Sequence, residues 1–560
     1  VVMIVTYGVI ISERLNRSII ALLGAMLMVM FGLLTQEQAV AGVVAGAVVS
    51  VGVALLLWWR SLGRGEFLYR DFVTAPVPAR PASWFPGDYA SLRAWPLDAL
   101  TWLLAPVVPA GVQQLAVLLA VPVLAGTGVA VLVSRWGPLP AAVSAAVAVW
   151  NPYVAERLLM GQAPTLLAYA AAPWVALAAR SRAPLPRRVL LVLLAALPAA
   201  LTPWGGLVAL ATALGAGVTR HDRRGRELAA LAVLGIGWCL PWLLPSLVAA
   251  SGGHADPDGG AAFALRDDTG LGTWWSALTG GGIWSESAAL ASRRDLTSSL
   301  ASALVLALAC AGALTLRGRR RLLALTALVL PASLAALLSG PLVGVVTALQ
   351  AVPGLALVRD QHRLLGLAVL AQAGLAGLAV GRTKRSAPFG RPTAAAVAVA
   401  VTAALVGMQP DLTGRLAQAY RPITYPAGWQ EVVGAVEQAG SHGRRPVVLS
   451  MPWQPLRRTV WAGESSFLDP SPRGLPATVV TSSALRVTRD GRLRVVDDHP
   501  VPHEQAWSEG RLSAQALRSQ GVTLVLAWVT SPGTQPVVRP GWRELARTPD
   551  WVLWDVTRAE

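Results

Sequence analysis

Apolar residues dominate the chain in long runs from its start to about Met408. A helix needs about 20 such residues to cross the hydrocarbon core of a bilayer. Runs near 2–12, 18–34, 41–59, 113–134, 139–153, 164–180, 188–202, 204–219, 228–250, 298–316, 322–340, 363–381 and 392–408 therefore read as spans. Several are short, and their Pro and Gly residues predict broken geometry supported by neighbouring helices. Past Met408 the pattern changes. Strand-like runs at Val447–Ser450, Val522–Trp528 and Trp551–Val556 alternate with Pro- and Gly-rich turns and with helical stretches at 429–439 and 511–519. The pattern predicts an α-helical polytopic membrane bundle of about 11–13 transmembrane helices. It divides into 1–40, 41–408 and a small C-terminal α/β domain over 409–560.

Composition agrees with that class. Of the 560 residues 54% are hydrophobic and only 14% charged, where a soluble protein carries about a quarter charged. The mean hydropathy is +0.53. The net charge of +17 raises nucleic-acid binding as a question, and the positions answer it. Arg135 stands in one short loop, and Arg180, Arg182, Arg187 and Arg188 in the next. Arg220, Arg223, Arg224 and Arg226 follow, then Arg317, Arg319, Arg320 and Arg321, then Arg382, Lys384, Arg385 and Arg391. Each group lies between two apolar spans, so all five are expected on the cytoplasmic side. They do not share one face of a folded domain, so no nucleic-acid partner is expected. Segments 60–112, 151–163, 249–297, 341–362 and everything past 409 then fall outside, and only Arg14 and Arg17 sit on the wrong side. The expected location is the cell membrane, multi-pass, with the C-terminal domain extracytoplasmic. The start lacks a basic n-region and a small-residue cleavage site, so no cleavable signal peptide is expected. Cys239 and Cys310 both lie in apolar spans, which leaves no disulfide or zinc signal. No Walker loop, strand-borne GxGxxG, HExxH or nucleophile elbow occurs.

Two resemblances of unequal reach follow. The stretch TYGVIISERLNRSIIALLGAMLMVMFGLLTQEQAV, residues 6–40, resembles the opening of the arsenite/citrate-type ion permeases. The rest of the chain lacks the broken-helix hairpins with mid-membrane polar residues that such transporters use, so residues 1–40 read as a fused permease-like helical hairpin. From residue 41 the chain resembles the actinobacterial polytopic membrane glycosyltransferases of GT-C type. The resemblance is carried by FLYRDFVTAPVP (67–78), WNPYVAERLLMGQAPTLLAYAAAPW (150–174), VRDQHRLLGLA (358–368) and VVLSMPWQPLRRTVWAG (447–463). It implies a GT-C-like bundle that moves a sugar from a polyprenyl-phosphate-linked donor to a cell-envelope glycan or glycolipid on the outer face. Its partners are that donor, that acceptor and the lipid bilayer. An ion or anion transporter, implied by residues 1–40, is one rival; a non-catalytic envelope protein that binds glycan is another.

The resemblance also implies an acidic residue in the first outer loop, and Asp71 occupies that place. A carboxylate there can take the acceptor's proton, hold the acceptor or hold a divalent cation, the one cofactor the reading admits. Arg70 can offset its charge or face the donor phosphate. Asp88 and Asp98 are weaker candidates, and Asp98 reads as the anchor of a membrane-surface helix. Asn151, Glu156, Arg157 and Gln162 lie at a membrane edge, where charges mark sites and pathways. Arg359, Asp360 and Arg363 precede a span. Arg359 and Arg363, spaced i, i+4, share a face if helical and would hold the donor phosphate by bidentate contacts. His362 alone is too weak a signal for a ligand. Loop 249–297, with Asp256, Asp258, Asp267 and Asp268, is long enough for a lid over the bundle. Trp453, Arg457, Arg458 and Trp461 read either as domain core or as a sugar-stacking platform.

Overall fold

The computed structural model describes residues 37–81, 95–218, 225–249, 255–352, 355–386, 390–440, 445–463, 465–489, 491–498 and 501–557. The permease-like stretch falls almost wholly outside these residues, as does Asp88.

The apolar runs become helices close to where the sequence puts them. They are α1 (Glu37–Trp58), α3 (Ala110–Val133), α4 (Pro138–Val149), α6 (Ala163–Ala179), α7 (Leu185–Ala200), α8 (Pro203–Val218), α9 (Gly225–Ala249), α10 (Leu296–Leu314), α11 (Gly318–Ser339), α12 (Leu365–Ser386) and α13 (Gly390–Met408). Between α1 and α3 lies the shorter α2 (Trp95–Leu104). Six helices among the described residues are long and apolar enough to cross a membrane. α1 packs on α3 and α4, α6 on α3, α7 and α8, and α12 on α4, α10, α11 and α13. Small residues let these backbones close up. A Cβ on Gly46 of α1 would lie 2.1 Å from the Ala130 Cβ, and one on Gly312 of α10 would lie 2.0 Å from the Leu375 carbonyl oxygen.

The run 139–153 does not stay one span. Asn151-Pro152 breaks it, because the residue before proline is pushed out of the helical region while Pro suits the first helical turn. α4 ends at Val149, and a buried helix α5 (Pro152–Leu159) begins. The segment read as an outer loop is thus part of the core.

The C-terminal chain starts with α14 (Leu412–Ala419), which packs against α1 and α5. Leu412, Leu416, Ala419 and Tyr420 belong to the bundle's core cluster. After α15 (Gly428–Ala439) come β1 (Val447–Met451), β2 (Leu456–Arg457), β3 (Phe467–Leu468), β4 (Thr478–Val480), β5 (Leu485–Arg489), β6 (Arg492–Val496), β7 (Leu524–Trp528), β8 (Arg543–Arg547) and β9 (Trp551–Asp555). The main sheet has the order β4-β1-β7-β9-β8. β1 runs parallel to β4 and β7, and β9 antiparallel to β7 and β8. β5 and β6 form a separate hairpin. Helical bundle and small C-terminal sheet domain together make the polytopic membrane architecture that the hydrophobic pattern predicts.

Candidate functional site

The first loop after α1 sets the site. Residues 67–72 run Phe-Leu-Tyr-Arg-Asp-Phe, apolar on both sides of a two-residue polar turn. Tyr69 and Phe72 exchange backbone hydrogen bonds of 3.1 and 2.8 Å, leaving Arg70 and Asp71 at the tip. Phe67, Tyr69 and Phe72 are buried around Tyr420, with Tyr69 and Phe72 ring centroids 5.4 and 5.7 Å from its own. The Tyr69 and Tyr420 hydroxyls donate to the Leu159 and Leu158 carbonyls at the end of α5, at 2.9 and 2.6 Å. Arg70 adopts φ +49°, a left-handed conformation that costs a non-glycine residue on the order of 1–2 kcal/mol. The surroundings hold it there. Its backbone is bonded to Ser466 and Leu468 on either side, and its guanidinium donates to Ser287 at 2.7 Å. Gly161 (φ +75°) lets the turn sit flush on α5, since a Cβ there would stand 2.6 Å from the Tyr69 carbonyl oxygen and 2.8 Å from the Asp71 nitrogen.

From Asp71 a chain of polar contacts runs into the bundle. Gln162 Nε2 donates to Asp71 Oδ2 at 3.0 Å, while Gln162 Oε1 accepts from Arg157 Nη1 at 2.5 Å. Arg157, fully buried, donates through both Nη atoms to the Asp360 carboxylate at 2.7 and 2.8 Å. Arg363 Nε donates to the same carboxylate at 3.0 Å. Burial works against the Asp360 charge, but Arg157 and Arg363 outweigh it and hold its carboxyl well below the usual range. Asp71, Arg157, Gln162, Asp360 and Arg363, scattered over 293 positions of sequence, are thus one connected unit.

A second buried cluster lies on the other side of α5. Glu156 Oε2 accepts from the Ile283 backbone N–H at 3.0 Å and lies 3.0 Å from His362 Nε2. His362 stacks on Tyr153 with centroids 5.3 Å apart. Nearby, Arg293 Nε donates to Asp268 Oδ2 at 2.9 Å. Burial first, and the Asp268 charge second, push the Glu156 carboxyl well above its ordinary value. Burial opposes the Asp268 charge too, yet Arg293 prevails and brings that carboxyl down to about 2. Glu156 is thus shifted toward its neutral form and Asp268 toward its ionised form. Arg293 carried no sequence signal: nothing in its neighbourhood marks it for burial.

Other expected site residues do different work. Arg359 and Arg363 do not share an α-helical face, because the helix is interrupted at Asp360 (φ −94°, ψ 81°) between two 3-10 turns. Arg359 instead donates to both carboxylate oxygens of Asp498, at 2.6 and 2.8 Å, and lies 4.6 Å over the Phe263 ring. Asn151 caps α5: it accepts from Val154 N at 3.0 Å and donates to the Val147 and Ala148 carbonyls. Asp98 pairs with Arg473 at 3.1 Å, which docks α2 on the C-terminal domain. The described part of loop 249–297, residues 255–297, is tied to the C-terminal domain. Arg489 of β5 donates to the Ala261, Ala264 and Leu265 carbonyls, and Asp256 accepts from the Asp497 backbone. Trp453 and Arg457 are buried, with Arg457 paired to Asp469 at 2.8 Å. Trp461 packs on Tyr425, Phe467 and Trp551. These three are core, and only Arg458 is exposed. Among the described residues no three His, Cys, Asp or Glu side chains converge on a metal-sized site.

Comparison with known proteins bears on the fold. The cryo-EM structure of the arabinofuranosyltransferase AftD from Mycobacteria is similar to this chain at a TM-score of 0.55 and 18% sequence identity. The match covers 91% of this chain and 40% of AftD, so the chain spans about two fifths of that protein's length. No protein-family profile and no curated protein sequence matches.

Proposed function

We propose that the chain is a membrane glycosyltransferase that moves a sugar from a polyprenyl-phosphate donor to a cell-envelope glycan or glycolipid on the outer face. The observation that carries this reading is the relay from Asp71 through Gln162 and Arg157 to Asp360 and Arg363. It places a carboxylate on a tightly held, strained turn and a cation at the start of a membrane span. Backbone strain of this kind concentrates at functional sites. In this reading Asp71 accepts the proton of the acceptor hydroxyl as its oxygen bonds to the anomeric carbon of the donor sugar. The bond from that carbon to the phosphate oxygen breaks, and the electron pair leaves with the phosphate. Arg363 and Arg70 face the growing negative charge, and Gln162 orients the Asp71 carboxylate. Arg359, bound to Asp498, is reassigned from phosphate contact to domain docking. The fold shared with AftD supports the class, and the C-terminal domain lies on the outer side in this reading.

Turnover by the full chain in lipid nanodiscs tests the proposal. The name of AftD makes a polyprenyl-phosphate-linked arabinofuranose the first donor to supply. Asp71→Asn should lower turnover by about a hundred- to a thousandfold, the range seen when one transition-state contact is lost, with donor binding retained. Undiminished turnover in that variant would remove Asp71 from the chemistry.

A further inference from the structure

Arg70 and Asp71 share the tip of the first loop, yet they are held by different kinds of partner. Gln162 takes the Asp71 carboxylate. Arg70 is held by neutral groups: its Nη1 lies 3.5 Å from Met160 Sδ and 3.4 Å from Ser285 Oγ, and its Nη2 donates to Ser287 Oγ at 2.7 Å. Among the described residues no carboxylate pairs with it. Hydroxyls orient a guanidinium without cancelling its charge, so this half-buried side chain stays positive beside the proposed base. The two serine hydroxyls lie 3.2 Å apart. Each accepts from Arg70 through a lone pair, so neither proton can point at the guanidinium. One proton closes the contact between the serines, whichever oxygen donates it. The other has no acceptor among the described residues. The segment that carries them is fixed from behind. Arg415 of α14 donates to the Ser287 and Ala289 carbonyls at 2.9 and 3.5 Å, and Arg266 pairs with Glu286 at 3.1 Å. Ala288 and Leu290 are buried in the bundle's core cluster. The hydroxyls are thus held in place at an accessible edge, with Ser287 exposed and Ser285 half-buried.

We propose that Ser285 and Ser287 complete a cradle with Arg70 for the phosphate of the lipid-linked donor. Arg70 supplies the charge, and the serines fix its guanidinium and give the remaining O–H to a phosphate oxygen. The proposal rests on the transferase reading, in which Arg70 faces that phosphate, and adds the residues that hold it there. The chemistry favours the phosphate over the acceptor. An acceptor hydroxyl needs a base, which Asp71 supplies, whereas a guanidinium flanked by O–H groups offers positive charge and donors together, the combination that phosphate oxygens take up. The cradle also brings loop 255–297 into the site through its 285–287 segment.

Binding of radiolabelled undecaprenyl phosphate to the full chain in nanodiscs, with undecaprenol as the neutral probe, tests the cradle without requiring turnover. Wild type should hold the phosphate more tightly than the alcohol. Ser285→Ala with Ser287→Ala should weaken phosphate binding by about tenfold or more, the loss expected from hydrogen bonds to a charged group, and leave undecaprenol binding as it was. If the pair fails to fold, Ser287→Ala alone, at an exposed position, should weaken phosphate binding in the same direction, and Ser287→Thr, which keeps the hydroxyl, should restore it. In turnover assays the alanine pair should raise the donor KM by more than it lowers kcat, with the acceptor KM unmoved. A purely structural role would lower kcat or the melting temperature and leave the preference for phosphate over alcohol intact, and that result would overturn the proposal. So would a raised acceptor KM with donor binding intact, or a wild type that binds phosphate and alcohol alike. Serine-dependent phosphate binding in a chain without transferase turnover would keep the cradle and sink the transferase reading instead.

Discussion

Asp360 and Glu156 are two carboxyls at opposite ends of the charge scale, although both are buried. Asp360 sits between two guanidiniums that outweigh burial and push its carboxyl down, while burial and then the neighbouring Asp268 push the Glu156 carboxyl up. Their substitutions should therefore differ in sign. Asp360→Asn leaves the buried Arg157 cation uncompensated, a defect of about 3–5 kcal/mol, and should lower the melting temperature of the purified protein. The Asp360 contribution is complete above the ordinary aspartate value of about 3.9 and drains away as pH falls toward its lower folded value. The gap between wild type and variant should accordingly close in acid. Glu156 behaves oppositely. Its contribution is complete below about 4.3 and is lost as pH rises toward its higher folded value. Glu156→Gln keeps the neutral form, so its melting temperature at neutral pH should equal or exceed that of wild type. A Glu156→Gln protein less stable than Asp360→Asn would show that Glu156 is held ionised.

At the scale of elements, α5 and the β5–β6 hairpin organise the site from two directions. α5 supplies Glu156 to one cluster and Arg157 to the other because neighbouring helical positions project about 100° apart. The hairpin holds residues 261–265 through Arg489, and the residues just after it hold the 359–363 segment through Asp498. Its sequence carries a hairpin signal, with Asp490-Gly491 between the alternating residues of 485–489 and 492–496. The surrounding loop gives no sign of where that hairpin docks. Asp498→Asn should loosen it by about 1.5–3 kcal/mol, the weight of hydrogen bonds to a charged group. Hydrogen exchange should rise across 485–496 and 256–265 while α3 and α12 stay protected. Unchanged exchange in 485–496 would mean that Arg489 alone secures the hairpin.

For the whole molecule, the basic loops predict that the Arg-rich helix ends face the cytoplasm and the C-terminal domain faces outward. Cysteines introduced one at a time at exposed Arg458 and Arg319 should then react with a membrane-impermeant maleimide in intact cells at the first position and not the second. The reverse pattern would invert the topology and with it the proposed donor side. Among the described residues, the eleven helices formed from long apolar runs between Glu37 and Met408 and the strands β1, β7 and β9 were legible in the chain, because hydrophobic length and alternation are local properties that burial demands of each segment alone. Asp71 was legible as a candidate through the resemblance, and Arg157, Gln162, Asp360 and Arg363 as polar or charged residues at the ends of apolar spans, where charge is costly. Their connection was not. Neither was the pairing of Arg359 with Asp498, 139 positions away, nor the burial of Arg293 against Asp268. A side chain's partner is chosen by which helices and strands pack together, and that choice is made by small-residue contacts such as Gly46 on Ala130 and Gly161 on the Asp71 turn. Such contacts leave no periodic trace in sequence. The chain by itself therefore specifies which residues are expensive to bury, and only the tertiary structure decides which opposite charge or hydrogen-bond partner offsets each of them.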